Sequence, residues 1–262
     1  MSSGKVVLGT LATPDDGLYD IVLINESILE EALIFLKDHF FTSEAICKAI
    51  KVLENPPLLE DLLKCMKMMI TKEAEGSFAS IAVMKKLTNQ IICVMCFSLR
   101  PKRNNQTYFG DYAEHHCQDE LMKRVFQFVD ATSSKVNVYD YFNVDYLVEC
   151  EILSTHEDYR RKQFGKKITE FVVKTIFLKN LPIVLPEYQE VIDNFDNYAF
   201  RSICSSKYSK LIANNVGCED LCYADLRQLK LNECTDQNES FEIFTVGCKL
   251  SKLIMQTYSS KY

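Results

Sequence analysis

The chain has 262 residues, 47% of them hydrophobic and 25% charged, a balance that excludes a disordered or collagen-like chain. At about 150 residues per domain, this length makes one large domain or two small ones. Thirty Lys and Arg against 36 Asp and Glu leave a net charge of −6, which argues against a general nucleic-acid or anionic-membrane binder and makes any anion site a local one.

Eleven cysteines, an odd number at irregular spacing, read as reduced cytoplasmic thiols rather than a disulfide framework. The apolar run after Lys5 is short, broken by Gly9 and Thr10, and lacks the small-residue cleavage site of an export signal. No stretch reaches the about 18 uncharged apolar residues of a membrane span. The expectation is a soluble, monomeric, cytoplasmic protein with no membrane or nucleic-acid partner.

In chain order, residues 1–18 read as a loose, flexible tail ending in the turn residues Pro14, Asp15, Asp16 and Gly17. A strand is expected over 19–24. Asn25 or Ser27 is placed to cap a helix with the apolar stripe Ile28, Leu29, Ala32, Leu33, Phe35 and Leu36, the spacing of a buried helical face. Thr42 or Ser43 starts a second helix, and Asn55-Pro56-Pro57 stops it and opens a third that runs toward Gly76, since proline ends one helix and fits the first turn of the next. The period then shortens. Residues 78–84 and 91–99 flank a polar turn at Thr88-Asn89 and read as a β-hairpin.

Beyond a polar loop at 101–106, a helix is expected over 118–129, and a strand over 147–154 with Val148, Cys150 and Ile152 on one face. A helix over 164–178, a strand over 199–204, a helix over 205–214 and strands over 221–226 and 241–255 complete the chain. With no repeat and no clean linker, this order makes a single domain over 19–258: a mixed α/β (α+β) sheet with helices on both faces.

The most informative segment is Tyr159-Arg160-Arg161-Lys162-Gln163-Phe164-Gly165-Lys166-Lys167, between an expected strand and an expected helix. Cations at a helix N-terminus oppose its dipole unless an anion sits among them, and free backbone N–H groups at such a corner cradle phosphate. On charge alone, a solvated turn or a nuclear-localisation patch accounts for it equally well.

The run from Ile152 to Lys167 resembles motif A of the GNAT acetyltransferase superfamily. The stretch 19–258 is similar to the insect arylalkylamine N-acetyltransferase family, through Phe40-Phe41-Thr42-Ser43-Glu44, Tyr141-Phe142-Asn143-Val144-Asp145, Cys204-Ser205-Ser206-Lys207-Tyr208-Ser209 and Val216-Gly217-Cys218. The resemblance implies a GNAT fold: a mixed, mostly antiparallel twisted sheet splayed at the acetyl-CoA site. It implies acetyl-CoA as co-substrate, bound by Leu153, Ser154 and Thr155 along the strand and by Arg160, Arg161, Lys162, Gln163, Phe164, Gly165 and Lys166 at the turn. It also implies N-acetylation of a small primary amine, an arylalkylamine foremost, by direct attack on the thioester with no metal. In that family the residue matching Glu44 acts as base through water, and those matching Ser205 and Ser209 relay protons and meet the coenzyme sulfur.

Other readings stay open. Glu44 is equally a helix-start carboxylate, and Glu149 and Glu151 are rival bases that alternate onto a shared face. Ser205 and Ser209 suit helix capping, Ser205 above all, and Tyr208 is a rival acid. Gln163 stands where motif A has its first glycine; if that position needs a positive φ, the side chain costs about 1–2 kcal/mol. A coenzyme-binding module without turnover, or a polyamine or protein acetyltransferase, are the alternatives in function. Cys93 and Cys96 have metal-ligand spacing, but on a strand they face opposite sides. His115, His116 and Cys117 read as an exposed loop cluster. Met66, Met68, Met69, Tyr139, Tyr141, Phe142 and Tyr146 are candidates for an arylalkyl pocket or plain core.

Overall fold

Uninterrupted apolar runs need cover on both faces, and the strands that carry them lie in the middle of one eight-stranded sheet. The computed structural model describes residues 4–12, 17–71, 77–102, 107–173, 181–185, 195–229 and 242–251. The strands are β1 (Val6–Ala12), β2 (Leu18–Leu23), β3 (Ser77–Lys85), β4 (Ile91–Pro101), β5 (Tyr146–Thr155), β6 (Tyr198–Cys204), β7 (Glu219–Asp225) and β8 (Glu242–Lys249). Their spatial order is β1-β2-β3-β4-β5-β6-β8-β7. Every neighbouring pair is antiparallel except β5 and β6. β4, buried at each residue from 91 to 99, is covered on both sides.

One core cluster lies between the sheet and helices α1 (Leu29–Phe35), α2 (Ala45–Ala49), α3 (Pro56–Thr71), α4 (Tyr108–His115) and α5 (Glu120–Ser133). The other lies under α7 (Phe164–Phe171), α8 (Leu181–Val184) and α9 (Lys207–Asn215). A short α6 (Val138–Phe142) forms a third cluster with Leu147 and Ala199. Cys93 and Cys96 point into opposite clusters, as the strand period requires. Among the described residues no helix is long and apolar enough to cross a membrane.

Several expectations are corrected. Residues 6–12, placed in a flexible tail, form β1, paired from Val6 with Leu23 to Ala12 with Leu18. Its alternation is broken by a register shift at Val7/Gly9, and an edge strand needs apolar cover on fewer sides, so the period-2 signal is lost. Neither Asn25 nor Ser27 caps α1; the Asn25 carboxamide instead accepts from Ser27 N and Oγ. Past Phe35 the helix widens into a π-helical turn, Leu36–Phe41. Thr42 and Ser43 donate back to Asp38 O and His39 O, and Glu44 caps α2. The sequence reading missed α4 and α6; Thr107 caps α4 by accepting from Gly110 N at 3.2 Å. The expected turn at 14–16, most of the loop at 101–106, the helix beyond Val173 and the last strand beyond Ser251 fall outside the described residues.

The correction that matters most for function is in β5. Cys96 pairs with Ile152 and Phe97 with Cys150, so Glu151 is the extra residue of a β-bulge. The bulge turns Ile152 into the cluster under α1–α5, while Val148 and Cys150 stay in the other, so the three do not share a face. Parallel pairing of β5 with β6 stops at Cys150 and Ser202, and beyond it the strands diverge. One rung earlier Glu149 faces Arg201; Arg201 Nε and a terminal nitrogen lie 2.8 and 2.7 Å from Glu149 Oε1, both side chains being buried.

Removing one partner of a buried pair leaves an uncompensated charge. Arg100 stays 3.7 Å from Glu149 Oε2, so Arg201→Met is expected to lower unfolding free energy by about 3 kcal/mol, the low end for a broken buried pair, and Glu149→Leu with Arg201→Met to recover part of that. Urea denaturation of both variants checks this.

Candidate active site

Where β5 and β6 part, a cavity of about 880 Å³ opens, and chain on both sides of the gap lines it. Leu153, Ser154 and Thr155 form one wall along β5. After Thr155, His156 caps a single 3₁₀ turn, its Nδ1 accepting from Asp158 N at 3.2 Å. Arg160 then ties the turn down: Nε donates to Thr155 O and a terminal nitrogen to His39 O, both at 3.3 Å.

The next residues carry the strain that the sequence pointed to. Gln163, the N-cap of α7, has φ 64° and ψ 13°, and Arg161 has φ 65°. Both sit in the left-handed region, where a side chain costs about 1–2 kcal/mol. No side chain caps α7, so its first N–H groups are left for another acceptor. Gly165 is required by packing: a Cβ there would stand 2.9 Å from Ile212 Cδ1 of α9 and 3.7 Å from Leu153 Cδ2. The turn is thus an uncapped helix start reached through two left-handed residues.

Of the ten residues assigned to the coenzyme, nine line the cavity; Lys162 does not, its ammonium lying 4.9 Å over the Tyr159 ring. Glu44, Ser205 and Ser209 also line it, together with Tyr208 and Glu151. Glu149 does not, being held by Arg201. Glu44 Oε2 accepts from Cys47 N at 2.7 Å, so it caps α2 and borders the cavity at once. Ser206, not Ser205, caps α9, in a reciprocal box with Ser209. Ser209 Oγ donates to Ser206 O at 2.9 Å. Sequence reasoning missed Ser206, although its spacing of three from Ser209 is the capping-box signal.

An aromatic ladder joins the turn to the π-helical segment that leads to Glu44. The His39 and His156 rings are 4.1 Å apart, His156 and Tyr159 meet edge-on at 5.5 Å, and Phe164 follows Tyr159 at 6.0 Å. Burial and, after it, the neighbouring His156 lower the pKa of His39, which favours its neutral form.

On its other side the cavity is apolar, bordered by Phe40, Ile46, Ile50, Leu62, Met66, Phe109, Met122, Val125 and Phe126. Of the residues proposed for an arylalkyl pocket only Met66 lies here. Tyr139 and Phe142 belong to the cluster around α6, and Tyr141 is exposed. Burial and, second, Glu149 push the Glu151 carboxyl up to about 8. Ser98 Oγ donates to Glu151 Oε1 at 2.9 Å.

No protein-family model and no curated protein matches the sequence. Solved structures do match. A protein of the yellow fever mosquito Aedes aegypti, named arylalkylamine N-acetyltransferase 7, superposes with a TM-score of 0.70 at 12% identity, over 94% of this chain and 95% of that one. The chain has the GNAT fold. Arylalkylamine N-acetyltransferase 2 of Aedes aegypti shares the GNAT fold with it at a TM-score of 0.62 and 17% identity, over 88% and 99% of the two chains. A polyamine N-acetyltransferase of Drosophila melanogaster does so at 0.53 and 12%, over 88% and 100%.

The strained turn yields a direct test. Gln163→Gly removes the left-handed side-chain cost but frees the unfolded chain, and is expected to stabilise the fold by up to about 1 kcal/mol. Gln163→Ala, which keeps a Cβ, is expected to give no such gain. Thermal denaturation of the two variants separates them.

Proposed function

We propose that the protein is an acetyl-CoA-dependent N-acetyltransferase acting on a small primary amine with an apolar, arylalkyl body. The observation that carries this reading is the single cavity at the β5–β6 divergence, which has an uncapped, cation-flanked helix start on one side and an apolar pocket with a carboxylate on the other. Backbone N–H groups and the cations of 161–166 suit a pyrophosphate, and the diverging strand Leu153–Thr155 offers hydrogen bonds to an extended pantetheine. The apolar lining favours an aromatic amine over a polyamine, whose several ammonium groups need an acidic channel. The GNAT-fold neighbours named for arylalkylamines agree with that preference, and the one named for polyamines keeps the alternative in the test.

In this reading the ammonium is drawn to Glu44, which takes its proton through water. The free amine attacks the thioester carbonyl, and the hydroxyls of Ser205 and Ser209 meet the sulfur as it departs. Ser209 is already held in the capping box of α9, and its hydroxyl turns from Ser206 O to the sulfur as the thiolate forms. No metal is called for in this scheme.

Acetyl-CoA at 100 times its dissociation constant is expected to stabilise the fold by about 2.7 kcal/mol. An amine panel should then show turnover highest with arylalkylamines. Glu44→Gln should lower kcat/KM by about 10²–10⁴ while coenzyme affinity holds, and Ser209→Ala should cost less, because water replaces a hydroxyl donor. Absence of any thermal shift with acetyl-CoA would end this reading. Coenzyme binding with no amine acetylated would leave a binding module instead.

A further inference from the structure

Two carboxyl groups line the cavity, Glu44 and Glu151, and only Glu44 has a task so far. Glu151 owes its place to the bulge, which lifts it out of strand register beside the last β5–β6 rung. Ser98 holds Oε1, while Oε2 is buried with no hydrogen-bond partner. Of the charged groups around it, Arg201 pairs with Glu149, and Arg100 lies 3.0 Å from Asp111 and 3.7 Å from Glu149 Oε2; both guanidiniums pull the Glu151 carboxyl down against the upward push of burial and Glu149. The other titratable neighbours are Tyr108 and the thiols of Cys65, Cys96 and Cys150, each pushed upward by burial and so neutral.

We propose that Glu151 is the terminal proton acceptor of the acetyl transfer, receiving the amine's proton by way of Glu44 and intervening water. The inference rests on the acetyltransfer reading above. An ammonium N–H bond breaks and an O–H bond forms at Glu151. The nitrogen lone pair then bonds to the thioester carbonyl carbon, and the C–S bond breaks with its electron pair going to sulfur. A second proton leaves nitrogen as the amide forms and passes to the thiolate. Glu151 returns its proton to solvent between turnovers. A carboxyl that titrates at about 8 is matched to this work, since a base is most effective with a pKa near the working pH.

The sign of the accompanying stability effect follows from linkage. The unfolded chain releases this proton near the ordinary 4.5 and the folded chain at about 8, so the folded state binds the extra proton between them and stability falls as pH rises across that window. Gln has no proton to lose. Glu151→Gln is therefore expected to gain stability over wild type as pH rises from near 4.5 to about 8, whatever its activity.

The experiment is the pH profile of kcat/KM for the amine at saturating acetyl-CoA, run beside pH-dependent denaturation, for wild type, Glu151→Gln and Ser98→Ala. Wild type should show a rise with a midpoint near 8. In Glu151→Gln that rise should vanish, with an alkaline kcat/KM lower by about 10²–10⁴. Ser98→Ala removes a hydrogen bond that favours the ionised carboxyl and should move the midpoint to higher pH; it also serves if Glu151→Gln does not fold. Turnover by Glu151→Gln with the wild-type profile overturns the proposal, as does an unmoved midpoint in Ser98→Ala. A wild-type protein that binds acetyl-CoA and acetylates no amine overturns the acetyltransfer reading, and this proposal with it.

Discussion

The site depends on how β5 and β6 come apart. Two parallel strands that stayed paired would fill the gap with hydrogen bonds and leave no room for a ligand. Here the Glu149–Arg201 pair sits one rung before the end of the pairing and holds the strands together up to that point, while the bulge at Glu151 bends β5 away just after it. A buried ion pair contributes little net stability against an apolar alternative, but it punishes any other register. The pairing therefore has a defined end, and the cavity a defined start.

The two sides of the cavity solve different problems. The side at the start of α7 stores strain, with Arg161 and Gln163 both at positive φ, and the strain is held by Arg160 binding two carbonyls, by the ring ladder from His39 to Phe164 and by Gly165 lying flush against α9. A turn kept in that shape has its N–H groups oriented before any anion arrives, which reduces the ordering cost of binding. The apolar side uses ordinary core packing between α3 and α5, interrupted by carboxyl groups. Because Arg160 reaches His39 O, the turn and the segment before Glu44 are mechanically joined.

Much of the fold was legible in the sequence, for reasons specific to each element. The β3–β4 hairpin has long apolar runs around Thr88-Asn89, and Asn89 takes the left-handed conformation such a turn needs. α3 is announced by Pro56-Pro57. β1 was illegible because an edge strand with a glycine and a register shift shows no clean period, and α4 because its aromatic residues gave no clear apolar stripe. In the site, the turn from β5 into α7 was legible because it is local: strand, turn and helix lie within about twenty residues, the scale on which sequence motifs carry structure. The Glu151 bulge was not, since it arises from pairing with β4, some 55 residues earlier in the sequence, and no local pattern records a one-residue slip between distant strands. Ser206 was within reach and was displaced by its neighbour Ser205.

In the proposed function acetyl-CoA binds in the gap between β5 and β6. Amide NMR during titration with acetyl-CoA tests it most directly. The largest shifts are expected at the amides of Leu153–Thr155 and of 161–166, with smaller ones at the start of α9 around Ser209. Saturating shifts confined to another face of the protein, with the 161–166 amides unmoved, would contradict it.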